Sequence, residues 1–173
     1  MAVRTIITAP DSRLKIKSKP IIDIDDTLQT LVDDMFDTMY SAPGIGLSAI
    51  QIGVPKRVIV IHITHENDVL GPLVLINPEV LVTSEEKAIY EEGCLSLPDQ
   101  FVEIERPREI TLSYLNREGD SVEKKFSDIY STCIQHEIDH LHGKLFVDHL
   151  SLVRRNIILR KLSKARRMAK ATV

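Results

Sequence analysis

The sequence predicts an α+β fold, in which antiparallel or mixed β-sheets pack around a central helix that contains an HExxH motif. Three observations predict this class. Helical patterns occur near the N-terminus, over the motif and at the C-terminus. Short runs rich in Val, Ile and Leu lie between the first two patterns, and no run is followed by a helix that could form a parallel crossover.

The N-terminal helix is predicted by apolar residues at helical spacing, namely Leu28, Leu31, Val32, Met35, Phe36, Met39 and Tyr40. Pro43, Gly44 and Gly46 follow this pattern and are typical of a helix end. Taken alone, these glycines would simply turn the chain into the first strand. The alternative is that the glycines belong to a binding site, an interpretation that needs support from other parts of the sequence.

The strands are predicted by five apolar runs, in order RVIVIHIT, PLVLINPEVLVTS, FVEIERP, EITLSYLN and SVEKKFS. Turn signals occur at Gly71 with Pro72, at Asn77 with Pro78, and over residues 116–119. Because short runs joined by such turns pair with their neighbours, we expect antiparallel strands.

The motif helix has recognisable ends. Ser127 and Asp128 are good N-cap residues, and Gly143 is a natural stop after the last turn. An apolar stripe connects these ends, formed by Ile129, Ile134, Ile138 and Leu141. These signals predict a helix of about four turns.

The motif itself favours a hydrolytic metal site. His136 and His140 are four residues apart, so on a helix both imidazoles lie on one face and can bind one metal ion. Glu137 can then reach a water at the metal as a general base. Histidines that merely face solvent or fill a core are the alternative, and we apply that interpretation to the isolated ones, which are His62, His65, His142 and His149.

A catalytic metal of this kind needs a third protein ligand. A metzincin-like site would continue to a third histidine, but Phe146 stands at its place. A glutamate ligand farther downstream is excluded because no Asp or Glu follows Asp148. His142, Asp148 and His149 follow the helix too closely to fold back easily, so an upstream cysteine is the better candidate.

The chain has two cysteines, and they differ in position. Cys133 lies about one turn before His136 on the same helix, where its short side chain would have to span several ångströms along the axis, so we interpret it as a core residue. Cys94 stands in EEGCLSLP, a polar turn between strand-like segments. Alone it would be interpreted as a buried free thiol. The shortage of other ligands favours Cys94.

Three short blocks carry a resemblance to a known family: GIGLSAIQ at 44–51, EGCLS at 92–96 and QHEIDH at 135–140. In this order and spacing the chain resembles the peptide deformylases, and the resemblance covers essentially its whole length. Ser48 departs from the family pattern, which usually has alanine there. Since serine adds only one hydroxyl, we expect altered local hydrogen bonding and retained activity.

The resemblance implies a metal-dependent amide hydrolase that removes the formyl group from the N-terminal formyl-methionine of nascent polypeptides and releases formate. It implies one divalent metal ion, physiologically Fe²⁺, for which Zn²⁺, Ni²⁺ or Co²⁺ can substitute. It implies that Cys94, His136 and His140 are the metal ligands and that Glu137 is the proton shuttle. The Gln51 amide and the Leu95 backbone N–H would be the oxyanion donors, and Gly46 would shape the substrate channel.

Two other functions remain as alternatives. An HExxH endopeptidase is disfavoured by the upstream cysteine ligand. A ribosome-associated binding protein with a residual metal site is disfavoured because Glu137 and Gln51 are both intact.

Composition predicts a single catalytic domain over residues 1–173, in which 43% of residues are hydrophobic and 27% are charged. Neither an export signal nor a stretch of about 20 apolar residues stands out, so we expect a cytoplasmic protein without a membrane partner. With one cysteine assigned to the metal, we expect no structural disulfide.

The C-terminal segment is strongly basic, with 8 Lys or Arg and no acidic residue in 149–173. Its pattern predicts an amphipathic helix at about 149–171, docked by Leu150, Val153, Ile157 and Leu162. One interpretation is a helix with a solvated basic face. The other is contact with ribosomal RNA, which the resemblance supports; nothing indicates base-specific recognition, and we expect no DNA partner.

Overall fold

The structure is a computed structural model that describes residues 2–64 and 70–171. Three α-helices lie within these ranges: α1 (Asp26–Ser41), α2 (Asp128–Leu141) and α3 (Leu152–Ala171). The strands are β1 (Gly46–Ser48), β2 (Val58–Ile61), β3 (Leu73–Thr83), β4 (Lys87–Cys94), β5 (Leu97–Pro107), β6 (Glu109–Leu115) and β7 (Ser121–Ser127). Short 3₁₀ helices cover Ser12–Lys15, Ala49–Ile52 and Phe146–His149.

The strands form two sheets. One has five strands in the order β1-β2-β3-β6-β7, and the other consists of β4 and β5. Neighbouring strands of both sheets pair antiparallel. The α+β fold is therefore confirmed. None of the helices in the described ranges combines the length and the apolar character that a membrane crossing requires.

The predicted strands are confirmed. The structure has two further strands, and one predicted turn is wrong. Each of the five apolar runs overlaps a strand, whereas β1 and β4 were not predicted. Asn77 and Pro78 lie inside β3 and do not end it; the pairing with β6 shifts there, and Asn77 has a φ of 51°. The Asn77 side chain holds this bulge by bonding both the N–H and the C=O of Ile21, each at 2.8 Å.

Helix α2 lies in the middle of the fold. Its residues Cys133, Ile134 and Leu141 are buried in one core cluster with the inner faces of β2, β3, β6 and β7. The predicted end is confirmed at Gly143, which has a φ of 71° and whose missing Cβ would lie 2.4 Å from the carbonyl oxygen of Lys15. Only glycine fits this close approach, so the N-terminal segment packs directly against the end of α2.

The docked face of α3 differs from the predicted one. Leu162 is buried and Leu150 is half-buried as expected, but Val153 and Ile157 are 70% and 50% exposed, and Ile158 is buried in their place. Val153 with Ile157 and Ile158 with Leu162 form two apolar stripes about 140° apart on the helix. Only one stripe can face the core, and in the structure it is the stripe of Ile158 and Leu162.

Candidate metal centre

Three potential metal ligands meet between α2 and the end of β4. His136 and His140 are buried on one face of α2, with their ring centroids 5.0 Å apart. The Sγ atom of Cys94 lies 3.2 Å from Nε2 of His140, and one ligand atom from each residue falls within 4.8 Å of the others.

This donor set fits a divalent metal ion. One thiolate and two imidazoles are ligands of the softness that iron, zinc and nickel accept. Ligand atoms around a tetrahedral ion lie roughly 3.3–3.8 Å apart, because each metal–ligand bond is about 2.0–2.3 Å long. The observed separation therefore requires only a small adjustment for all three residues to hold one ion.

Cys94 reaches the centre from a strand end; the predicted turn is present but is confined to Leu95 and Ser96, directly after it. It is the last residue of β4, where the pairing with β5 shifts between Gly93 and Cys94. Such a bulge changes the direction of the side chain that follows it. The polar, glycine-containing composition of this stretch marks the irregularity, but not the strand that surrounds it.

A buried ion-pair network supports His136 from behind. Glu92 accepts from His136 Nδ1 at 2.8 Å, which leaves Nε2 as the nitrogen that can bind metal. Arg106 bonds both oxygens of Glu92 and donates to Asp139 at 2.9 Å. Asp139 also contacts His149 at 2.7 Å, so the network extends to the protein surface.

The electrostatics of the two histidines differ. Burial lowers the pKa of His136, but hydrogen bonds with Cys94 and Glu92 outweigh burial and raise that pKa well above its ordinary value. The pKa of His140 is instead driven well below its ordinary value by burial and by the neighbouring His136. The surroundings therefore favour positive charge at the first ring and disfavour it at the second.

Glu137 points towards the cleft beside the three ligands. Its carboxylate is buried, and its Oε2 accepts from the Ser48 hydroxyl at 2.6 Å. Burial raises the pKa of Glu137, while the charge of His136 and the bond from Ser48 oppose the increase. A raised pKa makes the carboxylate a stronger base, which suits it to accept a proton.

Gln51 lies opposite α2, on the 3₁₀ helix that follows β1. Its Oε1 accepts from the Ser48 N–H at 2.9 Å, which fixes the orientation of the amide. Its Nε2 donates to Ser96 Oγ at 3.1 Å and lies 3.6 Å from Cys94 Sγ. A neutral donor is thus held beside the ligand cluster.

Leu95 and Gly46 complete the residues that the resemblance implies, and both line the cleft. A Cβ on Gly46 would lie 2.8 Å from Glu137 Oε1 and 2.9 Å from Cys133 Sγ. Any larger residue at this position would therefore push against the carboxylate. The cleft has a volume of about 570 Å³, and its lining includes Cys94, His136 and Glu137.

Comparison with known proteins gives a consistent result. The family model for polypeptide deformylase matches residues 3–156. The chain belongs to the polypeptide deformylase family. It is 51% identical to the peptide deformylase of Rhizorhabdus wittichii, with 99% of each chain covered, and 49% identical to that of Rhizobium meliloti, with 95% of each covered.

Solved structures agree with this assignment. A peptide deformylase from Ehrlichia chaffeensis in complex with actinonin has a TM-score of 0.91 at 40% identity, covering 95% of this chain and 98% of that one. One from Legionella pneumophila has a TM-score of 0.89 at 43% identity, covering 98% of both. The chain is accordingly a metallohydrolase that removes the N-formyl group from nascent polypeptides.

Several residues of the centre were not predicted from the sequence. Glu92 and Asp139 stand inside the EGCLS and HEIDH blocks, so their position next to ligands was a usable signal. Arg106 gives no such signal, because nothing in FVEIERP distinguishes it from a surface arginine. Its buried bonds to both carboxylates depend on β5 lying beside α2.

The remaining histidines and Cys133 have other surroundings. His62 contacts Tyr40, and His142 contacts Arg57. His149 belongs to the network behind His136, so it is more than an isolated surface histidine; His65 lies outside the described residues. Cys133 is buried as expected, and burial raises the pKa of its thiol well above the ordinary value.

Proposed function

We propose that Cys94, His136 and His140 hold one divalent metal ion, and that Glu137 and Gln51 act on the formyl group beside it. The observation that carries this proposal is the meeting of three ligand atoms within 4.8 Å, with Nε2 of Gln51 3.6 Å from Cys94 Sγ. The substrate is the N-terminal formyl-methionine of a new polypeptide, and the products are formate and a free amine.

Glu137 carries the proton in this mechanism. Its buried carboxylate takes a proton from the attacking water and returns it to the nitrogen of the leaving amine. Attack on the formyl carbon places negative charge on the formyl oxygen. The Gln51 amide and the Leu95 backbone N–H stabilise that charge, and such preorganised donors contribute a few kcal/mol. A divalent ion held by the three ligands supplies Lewis acidity and a lowered water pKa.

One assay separates this function from its alternatives. Purified enzyme should release formate from a formyl-methionine peptide and leave the internal peptide bonds intact. An endopeptidase would cleave the same peptide internally. A binding protein would cosediment with ribosomes and release no formate, even when it contains stoichiometric metal.

We further propose that the physiological metal is Fe²⁺. Affinity order alone would favour nickel or zinc. Fe²⁺ expands its coordination more readily, whereas thiolate-bound Zn²⁺ tends to stay four-coordinate, so the iron form should have more room for substrate. Protein loaded with Fe²⁺ without oxygen should be markedly more active than the zinc form, and air should inactivate only the iron form. Equal, air-stable activities would contradict this assignment.

The basic face of α3 is proposed to contact ribosomal RNA in the cytoplasm, with the whole chain acting as one catalytic domain. Arg160, Lys161 and Lys164 are exposed on this helix, where phosphates can reach them. Truncation before Ser151 is a poor test, because it would also remove Ile158 and Leu162 from the core.

Replacement of the three cations by Gln is the sharper test of this contact. Ribosome cosedimentation should weaken, and the remaining binding should depend less on salt, because fewer counterions are released. Turnover of a small formyl peptide is the control. Unchanged cosedimentation of the substituted enzyme would leave α3 with a purely structural role.

A further inference from the structure

Ser48 lies between the two groups that we propose for catalysis. Its side chain is fully buried at 0% exposure. The hydroxyl bonds Glu137 Oε2 at 2.6 Å, and the backbone N–H of the same residue bonds Gln51 Oε1 at 2.9 Å. One residue of β1 therefore contacts the proton carrier on one wall of the cleft and the oxyanion donor on the other.

The hydroxyl has only one hydrogen to donate, and two acceptors are within reach. Its oxygen also lies 2.9 Å from the backbone carbonyl of Glu137. The carboxylate contact is shorter and charge-assisted, so the hydrogen is favoured there. That bond holds Oε2, while Oε1 lies on the side of Gly46, a residue that lines the cleft.

We propose that Ser48 is a positioning residue, whose hydroxyl fixes the Glu137 carboxylate with Oε1 directed towards the reacting water. This inference rests on the proposed role of Glu137. Alanine at this position would leave Oε2 without this donor. The carboxylate could then rotate about its terminal torsion, which is a soft one.

The test is a double-mutant cycle on metal-loaded enzyme, using Ser48→Ala, Glu137→Gln and the combined variant. Ser48→Ala should lower kcat about tenfold, as the loss of one positioning bond to a charged group can, with KM changed less than about twofold. In the Glu137→Gln background, the same change should have almost no further effect on kcat. Metal content should stay stoichiometric in every variant.

Ser131→Ala is the matched control. Ser131 is also fully buried and lies on α2, but its hydroxyl bonds the Pro107 carbonyl at 3.0 Å. Its loss should lower the melting temperature and leave kcat unchanged. Ser48→Cys, which has a slightly larger side chain and a weaker donor, should give an intermediate kcat; it also replaces Ser48→Ala should that variant not fold.

The outcomes separate this inference from the proposed function. An inactive Glu137→Gln with a fully active Ser48→Ala would overturn the positioning role alone. Equal loss on Ser48→Ala in both backgrounds, or a loss that tracks missing metal, would also overturn it. High turnover by Glu137→Gln would overturn the proposed mechanism itself. A crystal structure of Ser48→Ala should show the Glu137 carboxylate rotated or in two orientations.

Discussion

Helices α2 and α3 follow one another in the chain but bury different kinds of residue. On α2 the buried set includes five polar residues, which are Ser131, Thr132, His136, Glu137 and His140. On α3 the buried residues are Ile158 and Leu162, while its described cations are exposed or half-buried. Burying polar groups costs free energy unless they are bonded, so α2 requires a network that α3 does not need. Two of the proposed metal ligands and the proposed base lie on α2, the helix that buries more polar side chains.

The largest expected effect comes from the buried acid of α2. Glu137→Gln should lower turnover by roughly two to four orders of magnitude, because positioned proton transfer is lost while the shape of the side chain is kept. Metal content and melting temperature should stay close to those of the unaltered enzyme. Near-normal turnover by a metal-replete variant would show that burial on α2 serves structure only.

Gln51 extends the comparison to the wall opposite α2. Gln51→Ala should lower turnover by roughly two to three orders of magnitude, as loss of an oxyanion donor does. The structure adds a stability cost of about 1–3 kcal/mol, since the Ser48 N–H loses its acceptor. Kinetics and denaturant unfolding measure the two effects separately.

Gln29→Ala is the control for that variant. Gln29 bonds Arg117 through both ends of its amide, away from the cleft, so its loss should affect stability without affecting turnover. If Gln51→Ala behaves in the same way, Gln51 is structural.

The two apolar stripes of α3 give the next test. Leu162→Ala should destabilise the protein by about 2–4 kcal/mol, because it empties a packed core position. Val153→Ala, on the exposed stripe, should change the free energy of unfolding by less than about 0.5 kcal/mol. If denaturant unfolding showed similar decreases in the free energy of unfolding for both variants, both stripes would be covered.

The smallest expected effect is at Thr132 of α2. Its hydroxyl is buried and has no hydrogen-bond partner within the part of the chain that the structure describes. Thr132→Val keeps the shape and removes this group, so stability should stay the same or rise by up to about 1 kcal/mol. A clear decrease in melting temperature would indicate that an ordered water satisfies the hydroxyl.

Local patterns predicted the parts of the centre that lie on one helix. The spacing of His136 and His140 decides that both rings share a face, and the sequence carries that spacing directly. The same is true of the end of α2 at Gly143. Cys94 required a count of the available ligands and a family resemblance, because its approach to α2 depends on the packing of a second sheet.

Contacts between distant segments could not be predicted in this way. The bond from Ser48 to Glu137 joins residues 89 positions apart, and the one from Arg106 to Asp139 joins residues 33 positions apart. Both depend on how strands and helix pack. The face of α3 was ambiguous for a related reason: two apolar stripes were present, and only the shape of the core around Leu145 and Phe146 selects one.

The origin of the ligands in two separate segments makes the proposed centre a cross-link. Cys94 and His140 are 46 positions apart, and β5, β6 and β7 lie between them. An ion that binds all three ligands closes this loop only when the end of β4 lies against α2, so its binding energy adds to the stability of the folded chain. By mass action, the concentration of free metal then sets resistance to unfolding as well as the fraction of active enzyme.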